Sequence, residues 1–276
     1  MRGEHKVTWL CEALLVSTSG YYDWRRRGRE PGVRQQENAV LCERIHEVFA
    51  QSRGTYGSPR ITVALDGAAG RHRIARLMRQ EQLHARQRSK YRVATTDSRH
   101  DDPIAPNRLL EVEVRQPDQV WVTDATCVLT GQGWLYLVAL LDLHSRRIVG
   151  WSMGEHLDAP LVMAALQMAI AQRQPTTALI VHSDRGTQFA SGAYRQLLAA
   201  HGLLASMSRR ANCYDNAFIE SFWSSLKYEA IYPRRFATRA EARSAIFDYI
   251  ECFYNRLRLH SSIGYVSPVT FESKLN

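Results

Sequence analysis

The chain has 276 residues, of which 45% are hydrophobic and 23% charged. That is enough apolar material for one large domain or two smaller ones, and it excludes a globally disordered chain. A formal net charge of +9 points to a polyanionic partner, held by electrostatic attraction and counterion release.

Residues 7–27 read as helix, break, helix. VTWLCEALL has helical apolar spacing, VSTSG supplies a turn and cap, and YYDWRRR forms a second, basic helix. This is either a small helix-turn-helix unit or an amphipathic hairpin packed on a neighbour. ENAVLCERIHEVFA (37–50) is amphipathic, with Val40, Leu41, Ile45, Val48 and Phe49 on its apolar side. Ser58 before Pro59 starts another helix, because proline in the first turn gives up no needed N–H. RHRIARLMRQEQL (71–83) sets Ile74, Leu77 and Met78 on one face, with Arg73, Arg76 and Arg79 around the other. Residues 1–36 are thus expected to be an N-terminal helical segment and 37–95 a small, basic, helical DNA-binding domain. Its arginines are candidate phosphate contacts, although any one of them alone is more often a solvated charge. Residues 96–117 have no sustained period, two internal prolines and clustered charges, which reads as a linker.

From 118 the pattern changes. VWVTDATCVL, GWLYLVALLDL and RRIVGWSM are strand-like runs with tight connections at GQG and HS, predicting an antiparallel meander. DAPLVMAALQMAIAQR is a helix capped by Asp158, with Pro160 in its first turn. ALIVHSD is a short buried strand, SGAYRQLLAAHG a helix closed by Gly202, and LLASMS a fifth strand. Antiparallel strands followed by alternating helices and parallel strands predict a mixed α/β sheet. DNAFIESFWSSLKYEAI and TRAEARSAIFDYIECFYNRLR follow as long helices. Trp121, Trp134 and Trp151 fall on strands and are expected in the core.

The charge is uneven. Residues 1–116 hold 21 Lys+Arg against 14 Asp+Glu, and residues 117–276 hold 15 against 13. The first part therefore looks like the DNA-gripping part, and the second like the part that must also house acidic ligands. The five cysteines, Cys11, Cys42, Cys127, Cys213 and Cys252, form no CxxC pair, so reduced, mostly buried thiols are expected. No apolar run reaches the roughly 18 residues of a spanning helix. MRGEHKVTWLCEALLVS lacks a signal-peptide core and cleavage site, so a cytoplasmic protein with no membrane partner is expected.

Three acids stand out against this background: Asp124 in the first strand, Asp184 just past the strand ALIVHS, and Glu220 in the helix that begins near Asp215 or Asn216. Functional groups in such sheets gather at the carboxyl ends of strands. The first strand of a mixed sheet is commonly central, which would make Asp124 and Asp184 neighbours, and a crossing helix would bring in Glu220. A lone Asp is most simply a cap or salt-bridge partner. Asp142, beside Arg146 and Arg147 in LLDLHSRR, reads that way. Asp124 and Asp184 differ because an unpaired carboxylate in or beside an apolar strand is costly. Three convergent carboxylates suit Mg²⁺, which takes hard oxygens and commonly only one or two carboxylates per ion. Two such ions about 3.5–4 Å apart support in-line displacement at phosphorus. Lys227, one of only four lysines, lies seven residues after Glu220 and so on the same helix face, with Trp223 and Ser224. It is placed to hold a DNA phosphate, or is simply an exposed charge.

WVTDAT, HSDRGTQF, NCYDNAFIESFWSSLKYE and YNRLRLHSSIGYVSP, in that order and with GTYGSPRI upstream, together resemble the insertion-sequence-three family of transposases, related to retroviral integrases. The resemblance spans essentially the whole chain, including the 35 residues between Asp184 and Glu220 and the position of Lys227. It implies a ribonuclease-H-like core over 118–276, preceded by a helix-turn-helix-like domain. It implies catalytic and metal-ligating Asp124, Asp184 and Glu220, with Mg²⁺ or Mn²⁺ as two ions. It further implies cleavage at element ends and strand transfer, with water and then a DNA 3′-hydroxyl as nucleophile and no covalent protein–DNA intermediate. The expected partners are the element ends, target DNA, further copies of this chain on DNA, and the product of an upstream reading frame, separate or fused. The location implied is the bacterial nucleoid.

Other residues carry weaker expectations. Arg209 and Arg210 precede a loop facing the expected site, and Arg256 and Arg258 lie in YNRLRLH; all four are candidate DNA contacts. His182, Arg185, Asn212 and Asp215 are expected to support the site or cap its helix. Two other readings remain: a catalytically inactive DNA-binding regulator or element remnant, and a nuclease that cuts without joining. Terminal inverted repeats and an overlapping upstream frame around the gene would favour the transposase.

Overall fold

The computed structural model describes residues 6–27, 32–86, 104–109, 112–175, 179–208 and 217–275. The chain divides into two compact units, Met1–Ala85 and Arg86–Asn276.

The first unit is helical. Helices α1 (Val7–Ala13) and α2 (Thr18–Arg27) form the expected helix-break-helix, and the Ser17 hydroxyl accepts from the Gly20 N–H at the break. Helices α3 (Val33–Gln51), α4 (Ser58–Ala64) and α5 (Arg71–Gln80) pack around Leu41, Ile45, Ile61, Ile74, Leu77 and Met78, all buried. Val40, expected on the apolar side of α3, is exposed. The buried stripe of that helix is the narrower Leu41–Ile45 line, and Val40 sits one residue, about 100°, outside it.

The second unit is built on one five-stranded sheet. Its strands are β1 (Val120–Thr130), β2 (Gly133–Asp142), β3 (Ile148–Gly154), β4 (Ile180–Ser183) and β5 (Leu204–Met207), in the order β3-β2-β1-β4-β5. The first three are antiparallel; β4 pairs parallel with β1, and β5 parallel with β4. This is the mixed sheet of a ribonuclease-H-like fold, with β1 at its centre. Helix α6 (Ala159–Arg173) starts where Asp158 accepts from the Leu161 N–H, a cap that contributes about 1 kcal/mol. It lies so close to β3 that a Cβ added to Gly150 would sit 2.5 Å from the Ala165 carbonyl oxygen. Only glycine on the strand, facing alanines on the helix, permits that approach. Helices α7 (Thr187–Ala190) and α8 (Gly192–Ala200) follow, the latter capped by Ser191. Trp121, Val138, Leu140, Val181, Leu166, Phe189 and Leu198 share the core between the sheet and these helices.

Two expected long helices change pitch midway. Helix α9 (Ala217–Leu226) passes into a π-helical segment, Lys227–Ile231, and α10 (Arg239–Phe247) into another, Asp248–Tyr254. A wider turn of this kind is rare and frequent at functional sites. Trp121 is buried as expected, but Trp134, at the hairpin end of β2, is 48% exposed. Among the described cysteines only Cys11 is buried, and Cys252 is exposed, so the expectation of mostly buried thiols fails.

Helix α11 (Pro268–Ser273) is clasped to the sheet unit by charge. Glu272 meets Arg147 at 2.6 Å and Arg173 at 2.9 Å, and Arg173 also meets Asp118 at 2.6 Å. Burial pushes the Glu272 carboxyl up, but hydrogen bonds from Arg173, Arg147 and Ser145 outweigh it and hold the group below its ordinary value of 4.5. A carboxyl with a lowered folded-state pKa contributes stability above its unfolded value, and that contribution is lost as the pH falls through the folded one. Glu272→Gln is therefore expected to lower the melting temperature at pH 7. In thermal melts across pH, its deficit against wild type should shrink as the pH drops below 4.5. An unchanged deficit in acid would refute the clasp.

Candidate active site

Parallel pairing places Val122 of β1 opposite His182 of β4. Continued for two residues, that register sets Asp124 beside Asp184, the first residue past the end of β4. A strand that stops at Ser183 leaves Asp184 free to turn, and its Oδ1 accepts from the Gly186 N–H at 2.9 Å. The loop is pinned on its far side by the Arg185 Nε, which donates to the Ser208 carbonyl at 2.8 Å. Beneath it, His182 is buried, with Nδ1 2.8 Å from the Ser206 hydroxyl. His182 and Arg185 thus tie β4 and the loop after it to β5 and Ser208.

The third acid arrives on α9. Glu220 is exposed in the first turn of that helix. One turn on, the Trp223 Nε1 donates to the Asp124 Oδ2 at 2.9 Å and ties the helix to the central strand. Part of Asp124 still meets solvent, but its carboxyl lies deep among protein atoms. Burial and the Asp184 charge push it up to about 7, against the Ala125 N–H and the Trp223 indole, with Glu220 adding to the rise. The three acids therefore share one electrostatic site. Among the described residues no group of three acids, histidines or cysteines is tight enough to enclose a single ion.

Asp142 shows what a structural acid looks like in the same sheet. It is fully buried. Its Oδ1 accepts from the Ser145 N–H at 2.7 Å, the Ser145 hydroxyl at 2.9 Å and the His144 N–H at 3.1 Å, and its Oδ2 from the Asp118 N–H at 2.7 Å. Four donors saturate it, whereas Asp124 takes two, the Trp223 indole and the Ala125 N–H.

Stretches of the chain match known families: an integrase core domain over residues 114–213, another integrase core domain over 220–275, and an HTH-like domain over 35–91. The chain is 44% identical to the insertion element IS600 uncharacterized 31 kDa protein of Shigella sonnei, across 96% of its own length and 98% of the relative's. It is 38% identical to the transposase InsF for insertion sequence IS3A of Escherichia coli (strain K12), across 99% and 96%. The chain belongs to the insertion-sequence-three transposase family. Among solved structures it is similar to a chain of a simian T-cell lymphotropic virus intasome complex, at 14% identity and a TM-score of 0.48, covering 83% of this chain and 74% of that one.

In this family member the other candidate residues fall into three groups. Lys227 is half-buried at the first position of the π-helical segment. Arg76, Arg79 and Arg256 are exposed, but Arg73 is drawn to Glu37 at 3.0 Å and Asn38 at 2.9 Å. Arg209, Arg210, Asn212 and Asp215 lie outside the described residues.

Arg258 corrects an expectation. It is 4% exposed and forms a bidentate pair with Glu229, Nε to Oε2 at 2.8 Å and Nη2 to Oε1 at 2.7 Å. The same Nη2 reaches the Ser225 hydroxyl at 3.2 Å, and the Tyr249 hydroxyl donates to Glu229 at 2.7 Å. Its charge is neutralised inside the protein and is not presented to a DNA backbone. Asn255 of the same string is also internal, exchanging hydrogen bonds with the Ile148 N–H and carbonyl at 2.9 and 3.0 Å. Two partnerships escaped the sequence reading, Trp223 with Asp124 and Glu229 with Arg258. Neither has a local signal, since their members lie 99 and 29 residues apart.

Proposed function

We propose that the chain is a DNA transposase of the Asp-Asp-Glu type, a polynucleotidyl transferase that cuts the ends of an insertion sequence and joins them to new DNA. The observation that carries this reading is the meeting of Asp124 and Asp184 at neighbouring parallel strands, with the Glu220 helix bonded to Asp124 through Trp223. The donor set fits a hard divalent cation. Two carboxylates raise each other's cost of ionisation, and a cation between them removes that cost. Asp124 and Asp184 would hold one Mg²⁺ or Mn²⁺ and Asp124 and Glu220 a second, consistent with one or two carboxylates per ion. Ions so held would supply charge stabilisation at the scissile phosphate and activation of the attacking oxygen.

The protein's own residues do the rest. The strand ends and α9 fix the spacing of the acids, which aligns the attacking and leaving oxygens on either side of phosphorus. In cleavage a water oxygen attacks phosphorus and the DNA 3′-oxygen leaves. In joining, the freed 3′-hydroxyl attacks a target phosphodiester and that strand's 3′-oxygen leaves. Lys227, on the Glu220 side of the site, holds a backbone phosphate as a point charge. Arg76, Arg79 and Arg256, with Arg209 and Arg210, are the contacts to the DNA backbone. The protein works as an oligomer on nucleoid DNA, with the upstream reading-frame product as partner or fusion.

The test is a branched, nicked DNA incubated with Mg²⁺ and the purified chain. It runs joining in reverse and depends little on recognition of the ends. Strand resolution by wild type and none by Glu220→Gln supports the reading. No product from either, with DNA binding retained, favours a binding protein or a partner-dependent enzyme, and the fused reading frame in the same assay separates those two.

DNA binding itself should map to the first unit. Residues 1–95 hold 18 Lys+Arg against 9 Asp+Glu, while the rest of the chain is balanced at 18 against 18. Their removal is expected to weaken binding and flatten the plot of log affinity against log salt, because each lost phosphate contact removes about 0.9 from the slope. Fluorescence anisotropy with a duplex at several salt concentrations checks this, and an unchanged slope would refute it.

A further inference from the structure

We propose that Trp223 is a positioning residue that orients the Asp124 carboxylate for metal binding. This rests on the metal-site reading above and assigns a role to a residue outside the three acids. The indole N–H is a donor only and cannot itself ligate a cation. It binds the Asp124 Oδ2 at 2.9 Å. With the Ala125 N–H as a second donor, that bond holds the carboxylate in a set orientation beside Asp184.

Position on the helix adds a second function. Trp223 follows Glu220 by three residues, so one hydrogen bond on β1 sets how far α9 slides along that strand and hence where Glu220 stands. The ring is held from behind: Trp223 is 6% exposed, its ring centroid is 4.8 Å from that of Phe222, and Phe222 in turn is 4.8 Å from Tyr254. A residue needed only for packing would require the ring and not the N–H. The geometry joins both, with the N–H aimed at the one acid that the proposed ions share.

Trp223→Phe keeps an aromatic ring and deletes the donor. Mn²⁺ binding to the full chain, read from the resonance of free Mn²⁺, needs no DNA and no turnover. Trp223→Phe is expected to weaken Mn²⁺ binding about 10–100-fold, the usual effect of removing a hydrogen-bond partner of a metal ligand. Leu166→Ala loosens the core between the sheet and α6, a cluster that does not include Trp223, and should lower the melting temperature while leaving Mn²⁺ affinity unchanged. Wild-type affinity in Trp223→Phe, or an equal loss in Leu166→Ala, would overturn the proposal. Wild-type binding that Asp184→Asn does not weaken would instead overturn the metal-site reading on which it rests. Should Trp223→Phe fail to fold, indole-¹⁵N-labelled wild type carries the test. Among its six tryptophans, the resonance displaced by Asp124→Asn must shift as Mg²⁺ is added; a stationary resonance overturns the proposal.

Discussion

Asp184→Asn and Glu220→Gln should each lower strand cleavage by at least about 10³-fold and leave DNA binding nearly intact. The reason is a separation of tasks. A bound ion contributes several kcal/mol of charge stabilisation in the transition state, and each 1.4 kcal/mol is a factor of ten in rate. Binding rests on basic residues elsewhere, Arg76 and Arg79 among them, which neither substitution touches. Both variants are isosteric and sit where the side chain is at least partly exposed, so the fold should survive. Gel-based cleavage of the branched substrate, paired with anisotropy on the same duplex, measures both quantities. Cleavage by either variant at the wild-type rate would remove that residue from the site. Loss of binding in step with cleavage would mean that the acids hold the fold together and not the chemistry.

Arg258→Ala should destabilise the protein by about 3–5 kcal/mol, the usual result of removing one member of a buried ion pair. The Glu229 carboxylate would remain inside with its principal counter-charge gone, keeping Tyr249 as a donor. The pair joins the π-helical segment after α9 to the chain that leaves the second π-helical segment, so the damage should spread to both. Replacing both members with apolar residues of similar size, Arg258→Met with Glu229→Leu, should recover much of the loss, because no uncompensated charge then stays buried. Urea unfolding of wild type, the single variant and the double variant decides this. A wild-type midpoint for Arg258→Ala would return Arg258 to the list of candidate DNA contacts. A double variant no better than the single one would mean that the packing of the long side chains, and not charge compensation, is what matters.

Most of the architecture was legible in the residues. Apolar alternation and tight turns marked the meander of β1 to β3, Asp158 and Pro160 marked the start of α6, and a short apolar run ending in acid marked β4. These signals are local: a period, a cap or a breaker acts within a few residues and leaves its trace there. The three acids could be singled out as candidates on other grounds. A carboxylate in or beside an apolar strand, as at Asp124 and Asp184, is costly enough to require an explanation, and Glu220 joins them through the order and spacing of five strings that resemble the family.

The structure decided what depends on residues far apart in the chain. YNRLRLH looked like a basic DNA-gripping string, yet Asn255 secures the backbone at the start of β3 and Arg258 is paired inside with Glu229. Sequence records a positive charge at Arg258 but not the carboxylate 29 residues earlier that neutralises it. The long helical patterns after Asp215 are continuous by periodicity, and their passage into π-helical turns is visible only in the folded chain. Trp223 was legible as sharing a face with Glu220, while its bond to Asp124 spans 99 residues. The sequence alone thus determined the elements, because propensities and caps act locally, and, through the resemblance of its strings, the family. Only the tertiary structure decided which charges face outward and which side chains steady the acids, because those are properties of pairs that folding brings together.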